Sequence, residues 1–269
     1  MTEARRNLPI GIFDSGLGGL TVAAAVRKRL PHESILYLGD TARLPYGNRS
    51  AEAVRRFAVQ DLDFLLRSGV KTVIAACNTV SATAMDELSA RSSVPVSGVI
   101  LPGVREAVRS GAGSVAVLGT RGTIRSGAYE KELRKLRPGL AVRSIPCPLF
   151  VPLAEEGILS GPVARSVMDL HLRDLRRDPP DLVLPGCTHY PLLKQAIQEY
   201  LPPSVRIADC ASACAEELEV FLRERDLLAD RPGNGELRFF VTDLPQDFEA
   251  QARRFLNGTP GPVEKADLF

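Results

Sequence analysis

The chain has 269 residues, enough for one large or two small domains whose core needs no disulfide or metal staple. A composition of 45% hydrophobic and 25% charged residues excludes a disordered chain. Thirty-four Lys and Arg against 32 Asp and Glu leave a net charge of +2, and there is no tryptophan, so neither nucleic acid nor a membrane surface is an expected partner.

The apolar run after Arg5 and Arg6 is cut by Asp14 and does not read as a secretory signal. No stretch approaches the roughly 18 apolar residues of a spanning helix. A cytoplasmic chain with reduced cysteines is expected. Strand-like apolar runs follow in order at 10–14, 34–40, 72–77, 96–100, 114–120, 141–147, 181–187, 206–210 and 237–243. Most are continuous rather than alternating, as in strands covered on both faces. Amphipathic patterns between them predict helices over 51–67, 124–136, 162–176, 191–200 and 211–228. This alternation predicts an α/β fold with mostly parallel sheets and crossover helices.

Two versions of one plan are visible. IGIFDSG and VAVLGTRGT both end a strand in a small polar cluster, offset by 106 positions, and TVIAACNT and LVLPGCTH both end one in cysteine, offset by 110. Two facing α/β lobes are therefore expected, with ligands beyond the carboxyl ends of the strands. Turn-rich joints at 90–98 and 201–206 suggest a first lobe of 1–97 plus 210–269 and a second of 98–209. The end, NGTPGPVEKADLF, reads as a turn and a loose tail.

Cys77-Asn78-Thr79 and Cys187-Thr188-His189 carry the strongest chemical signal. Each cysteine ends an apolar strand beside hydrogen-bonding side chains, where helix N-terminal amides would favour thiolate. Cys147, Cys210 and Cys214 lack such neighbours and read as core. The two thiols are not a C-x-x-C pair, and no further Cys/His pair stands at metal spacing. A Cys-His dyad is not expected, because side chains two residues apart seldom face each other. Symmetrical acid–base work remains: one thiolate takes a proton from one face of a carbon while one thiol donates to the other.

Asp14-Ser15-Gly16 could relay a proton or hold an ammonium, but Gly18 and Gly19 do not make a dinucleotide fingerprint. The D-x-D spacing of an aspartyl-phosphate phosphatase is absent. Thr120 and Thr123 could bind a carboxylate, although Thr123 could simply cap a helix. Leu44-Pro45-Tyr46-Gly47 could close over a cleft. His32 and His171 read as surface residues, and Glu155 and Glu156 as a solvated helix start.

GIFDSGLGGLTV, YLGDTARLPYG, ACNTVSA, LGTRGTIRSGAY, CPLFVPLAEEG and LPGCTHYPLL, in this order, resemble the bacterial glutamate racemases. The resemblance implies two pseudo-symmetric lobes with the site between them and interconversion of L- and D-glutamate without cofactor or metal. It further implies D-glutamate for peptidoglycan and a homodimer. Carried onto this chain, it makes Cys77 the base toward D-glutamate and Cys187 the base toward L-glutamate, assisted by Asp14 and His189. Asp14, Ser15, Tyr46, Gly47, Asn78, Thr79, Thr120, Thr123, Thr188 and His189 match substrate contacts, and Glu155 matches an occasional third assisting group. Related aspartate and hydantoin racemases share the paired cysteines, although aspartate racemases tend to carry Glu where His189 stands. A protein that binds an amino acid without turning it over is the reading from another class.

Overall fold

The computed structural model describes residues 3–244, 248–256, 258 and 261–268. Each predicted apolar run becomes a strand: β1 (Ile10–Asp14), β2 (Ile35–Gly39), β3 (Thr72–Ala75), β4 (Val96–Gly98), β5 (Ser114–Gly119), β6 (Ala141–Pro146), β7 (Leu182–Gly186), β8 (Arg206–Ile207) and β9 (Leu237–Val241). A tenth, β10 (Val263–Lys265), lies in the segment expected to be a loose tail. It pairs in parallel with β9, and its three residues are too few and too polar to announce a strand in sequence. Residues 257, 259, 260 and 269 of that tail lie outside the described residues.

The helices are α1 (Glu3–Arg6), α2 (Leu20–Arg29), α3 (Ala51–Arg67), α4 (Asn78–Thr83), α5 (Met85–Arg91), α6 (Ile100–Arg109) and α7 (Arg121–Ser126). They continue with α8 (Ala128–Leu136), α9 (Phe150–Glu155), α10 (Gly161–Arg177), α11 (Lys194–Tyr200), α12 (Cys210–Glu224) and α13 (Phe248–Leu256). The pattern over 51–67 is α3 itself: Ser50 caps it, and Val54, Ala58, Leu62 and Leu65 recur on its buried side. The helix expected over 124–136 is two helices, because Gly127 adopts a left-handed φ of 66° that closes α7 and opens α8.

The strands form two sheets, β10-β9-β2-β1-β3-β4 and β6-β5-β7-β8, with every pair parallel. The order β2-β1-β3-β4 repeats as β6-β5-β7-β8, so β1 corresponds to β5 and β3 to β7. The two cysteine clusters thus occupy equivalent strand ends, and two pseudo-symmetric α/β lobes result. Both faces of each sheet are covered, which explains the continuous apolar runs. In the first sheet, one face packs on α2, α12 and α13 and the other on α3 to α5. In the second, α9 to α11 cover one face and α6 and α8 the other. No helix among the described residues is long and apolar enough to cross a membrane.

Two buried polar clusters brace the first lobe. At the amino ends of its strands, Lys71 is fully enclosed. Its ammonium is paired with Glu33 and donates to the carbonyls of Arg6 (2.6 Å) and Leu227 (2.8 Å). At the carboxyl ends, Asp40 and Asp61 share Arg43 and the Tyr46 phenol, which is 3.0 Å from Asp61. Asp40 also accepts from Thr242 at 2.8 Å.

Candidate active site

Asp14 ends β1, and its carboxylate accepts from the Gly19 amide at 3.0 Å where the chain turns into α2. Its second oxygen, Oδ1, is buried and makes no hydrogen bond among the described residues. Burial raises the Asp14 carboxyl, while the charge on His189 and the Gly19 amide pull it down. Cys77 follows β3, takes the N-cap position of α4 and donates to the Ser15 hydroxyl at 3.7 Å. Burial, then the Asp14 carboxylate, push its thiol up to about 12. The expected drift toward thiolate is therefore overturned at Cys77, where desolvation and a neighbouring acid outweigh the helix amides.

The second half differs. Cys187 follows β7, and its carbonyl accepts from the Tyr190 amide at 3.1 Å in a tight turn. That turn folds the His189 imidazole back toward the sulfur, with Nδ1 at 3.9 Å. Here the expectation that side chains two residues apart would not meet fails, because the regular strand has already ended. Nε2 of the same ring lies 3.2 Å from Glu155 at the end of α9. Burial opposes a charged imidazole, but the Cys187 sulfur and the Glu155 carboxylate outweigh it and raise its pKa to about 10. Glu155, set aside in sequence as a solvated helix start, is thus a direct partner of His189.

Side chains from both lobes meet next to the two cysteine-bearing turns. Thr79 of α4 meets Thr120 at 3.1 Å and Thr123 at 3.3 Å, and the latter two are 3.0 Å apart. Thr120, rather than Thr123, caps α7. Asn78 accepts from the Tyr129 hydroxyl at 2.6 Å, which leaves its amide NH2 as a donor. Thr188 accepts from Thr21 of α2 through its carbonyl at 3.3 Å. Gly47 packs so closely on Thr120 that a Cβ there would lie 2.6 Å from the threonine Cβ. A cavity of about 460 Å³ opens beside these groups, between Gly47 and Asn48 on one side and Thr120, Arg121 and Glu155 on the other. Cys77 and Cys187 keep only 5% and 7% exposure, and the charge on Cys187 is felt at Cys77.

Of the residues singled out in sequence, Asp14, Ser15, Cys77, Asn78, Thr79, Thr120, Thr123, Cys187, Thr188 and His189 gather at facing strand ends. Tyr46 stands apart, because its enclosed phenol is occupied by Asp40 and Asp61. Cys147 and Cys214 are buried, and Cys210 is half-buried. His32 is exposed with Nδ1 2.8 Å from the Gly233 carbonyl, but His171 is half-buried against Phe150. Tyr129 and Phe255, whose ring meets His189 edge-on, were not singled out in sequence. Both are aromatic residues on ordinary helical faces, and only the long-range packing gives them a place at the site.

The profile of the Asp/Glu/Hydantoin racemase family matches residues 20–218. The glutamate racemase of Geobacter metallireducens is 44% identical over 260 residues, covering 96% of each chain. Similar solved structures include glutamate racemase from Francisella tularensis in complex with D-glutamate, at 38% identity, 98% coverage of each chain and a TM-score of 0.92. Glutamate racemase from Thermus thermophilus in complex with beta-chloro-D-alanine gives 43% identity, 98% coverage of each chain and a TM-score of 0.87. Matched along most of its length and at both cysteine-bearing strand ends up to residue 218, the chain belongs to the Asp/Glu/hydantoin racemase family.

Proposed function

We propose that the chain interconverts L- and D-glutamate by two-base proton transfer at Cα between Cys77 and Cys187. The observation that carries this reading is the placement of two nearly buried cysteines at equivalent strand ends of duplicated lobes, with the charge on Cys187 felt at Cys77. The D-glutamate held by the Francisella relative favours glutamate over aspartate or a hydantoin. By the family resemblance, the product supplies peptidoglycan synthesis in the cytoplasm and the working form is a homodimer. The lobes that close on the substrate are 1–97 with 210–269, and 98–209.

Cys77, held up at about 12, rests as a neutral thiol and is a ready acid. With L-glutamate, the Cys187 thiolate, stabilised by the His189 imidazolium, takes the Cα proton while Cys77 donates to the opposite face. Cys187 is then a thiol and Cys77 a thiolate, which is the arrangement that removes the proton of D-glutamate. Asp14 Oδ1, buried without a partner among the described residues, suits the substrate ammonium. That ammonium would also offset the charge on Asp14 that disfavours a Cys77 thiolate. The Asn78 NH2, the hydroxyls of Thr79, Thr120, Thr123 and Thr188, Ser15 and the backbone at Tyr46 and Gly47 receive the substrate carboxylates. Their dipoles, fixed in an enclosed site, stabilise the negative charge that develops beside Cα.

The direct test is circular dichroism of L-glutamate incubated with the protein and no added cofactor. Decay of the signal to zero is expected. A stable signal with retained glutamate binding would support a binding protein, and decay only with aspartate or a hydantoin would move the substrate.

Gly18 offers a sharper test of the geometry. A Cβ at this position would fall 2.3 Å from Thr188 Oγ1 and 2.4 Å from His189 Nδ1. Gly18→Ala should cost about 1–3 kcal/mol through overpacking. By displacing His189 it should lower kcat by roughly 10²-fold, measured by the same assay. His189 also predicts a pH dependence. Its pKa is raised from 6.5 to about 10, so its stabilisation is full below 6.5 and is lost as pH rises through about 10. In thermal melts, the deficit of His189→Gln relative to the unsubstituted protein should be largest near pH 6 and shrink toward pH 10. A deficit that does not change with pH contradicts the assignment.

A further inference from the structure

Helix α13 reaches from the first lobe to the histidine of the second. Phe255 is 3% exposed and sits in the core cluster of α2, among Leu20, Ala23 and Val26. Its ring meets His189 edge-on, with centroids 5.2 Å apart and planes at 81°. The neighbouring Arg254 donates from Nη1 to the Glu155 carbonyl at 2.8 Å, and so satisfies one of the free carbonyls at the end of α9. Its guanidinium lies where a Cβ on Gly157 would fall, 2.7 Å from Cζ, and Gly157 holds a φ of +70° that suits glycine. Leu192, three residues beyond His189, packs into the same first-lobe core. The His189–Glu155 pair is therefore gripped by an element of the opposite lobe.

We propose that Phe255 and Arg254 are positioning residues that orient the His189–Glu155 pair toward Cys187 and couple that orientation to docking of the first lobe. The proposal rests on the role given above to Cys187 and His189. The Nδ1 contact to the sulfur is long at 3.9 Å, and the two ring nitrogens serve two partners only in one ring orientation. Phe255 restricts the ring from its edge, and Arg254 fixes the main chain that carries Glu155. The titratable groups facing His189 are Cys187 after β7, Glu155 on α9 and Asp14 at the end of β1, and Arg254 adds a charge from α13.

The chain has three histidines, so the His189 ring can be followed by nitrogen-15 NMR in the full-length protein. Phe255→Leu and Arg254→Gln should lower kcat with L-glutamate by roughly tenfold, change KM by less than about twofold, and shift the His189 titration midpoint by at least about half a pH unit. Arg254→Lys, which can still reach the carbonyl, should recover most of the rate and the unsubstituted titration. Unchanged kcat in both variants, or a lower kcat with an unmoved His189 titration, overturns the proposal. Should Phe255→Leu fail to fold, the exposed Arg254 decides alone. His189→Gln serves as the reference: if it racemises at the unsubstituted rate, the assignment of the site itself is wrong and the positioning role falls with it.

Discussion

With alanine in place of Cys77 or Cys187, racemisation of glutamate is expected to fall by at least about 10²–10⁴-fold, the contribution of one positioned acid or base. Both thiols are small and nearly enclosed, so either substitution should leave the fold intact while removing the proton-transfer group on one face. Enantiomers have equal free energy, which makes the equilibrium constant unity. The loss in kcat/KM must therefore be equal in the two directions for each variant, whichever thiol is removed. Within each variant, any difference between the two directions belongs in kcat and KM taken singly. The double variant should lose little beyond either single one, as groups that act as a unit do. Circular dichroism from each enantiomer measures all of this. A single variant that racemises at the unsubstituted rate would remove its cysteine from the reaction.

The largest expected effect on stability lies at the opposite end of the first sheet. Lys71→Ala should destabilise the protein by about 3–5 kcal/mol, because Glu33 is left charged and buried without its partner. The carbonyls of Arg6 and Leu227 lose their donor as well. Among the described residues, Glu33 would retain the Ala229 amide, at 2.8 Å, as its remaining donor. For a chain of this length the midpoint of thermal unfolding should drop by about 10 °C. Removing both charges, as in Glu33→Leu with Lys71→Met, should recover much of the loss. At temperatures where Lys71→Ala remains folded its kcat should be unchanged, since the cluster is at the strand ends remote from the cysteines. A fall of less than about 2 °C would show that the pair is dispensable.

The strands and their duplication were legible because continuous apolar runs leave a strong local signal and because two pairs of strand-end motifs recur at nearly one spacing. The equivalence of the two cysteine-bearing strand ends followed from that periodicity. Properties set by three-dimensional surroundings were not legible. Cys77 carries a helix N-cap signature, yet its protonation is decided by burial and by Asp14, 63 positions earlier in the chain. His189 reaches Cys187 through a tight turn that strand spacing does not describe. Glu155 and Phe255 meet His189 only because α9 and α13 pack against it, and nothing local distinguishes them from other helix residues. Tyr46 shows the converse: its motif marks the cleft, but its phenol is spent on a buried carboxylate pair. β10, the edge strand, was not legible because its pairing with β9 comes from the fold rather than from an apolar run of its own.

The most direct measurement of two-base transfer is the fate of the Cα proton when L-glutamate turns over in deuterium oxide. With one thiol on each face, the first D-glutamate formed should carry solvent deuterium, while recovered L-glutamate keeps its protium. D-glutamate that retains the substrate's own proton, or early deuterium in both enantiomers alike, would mean that a single group serves both faces.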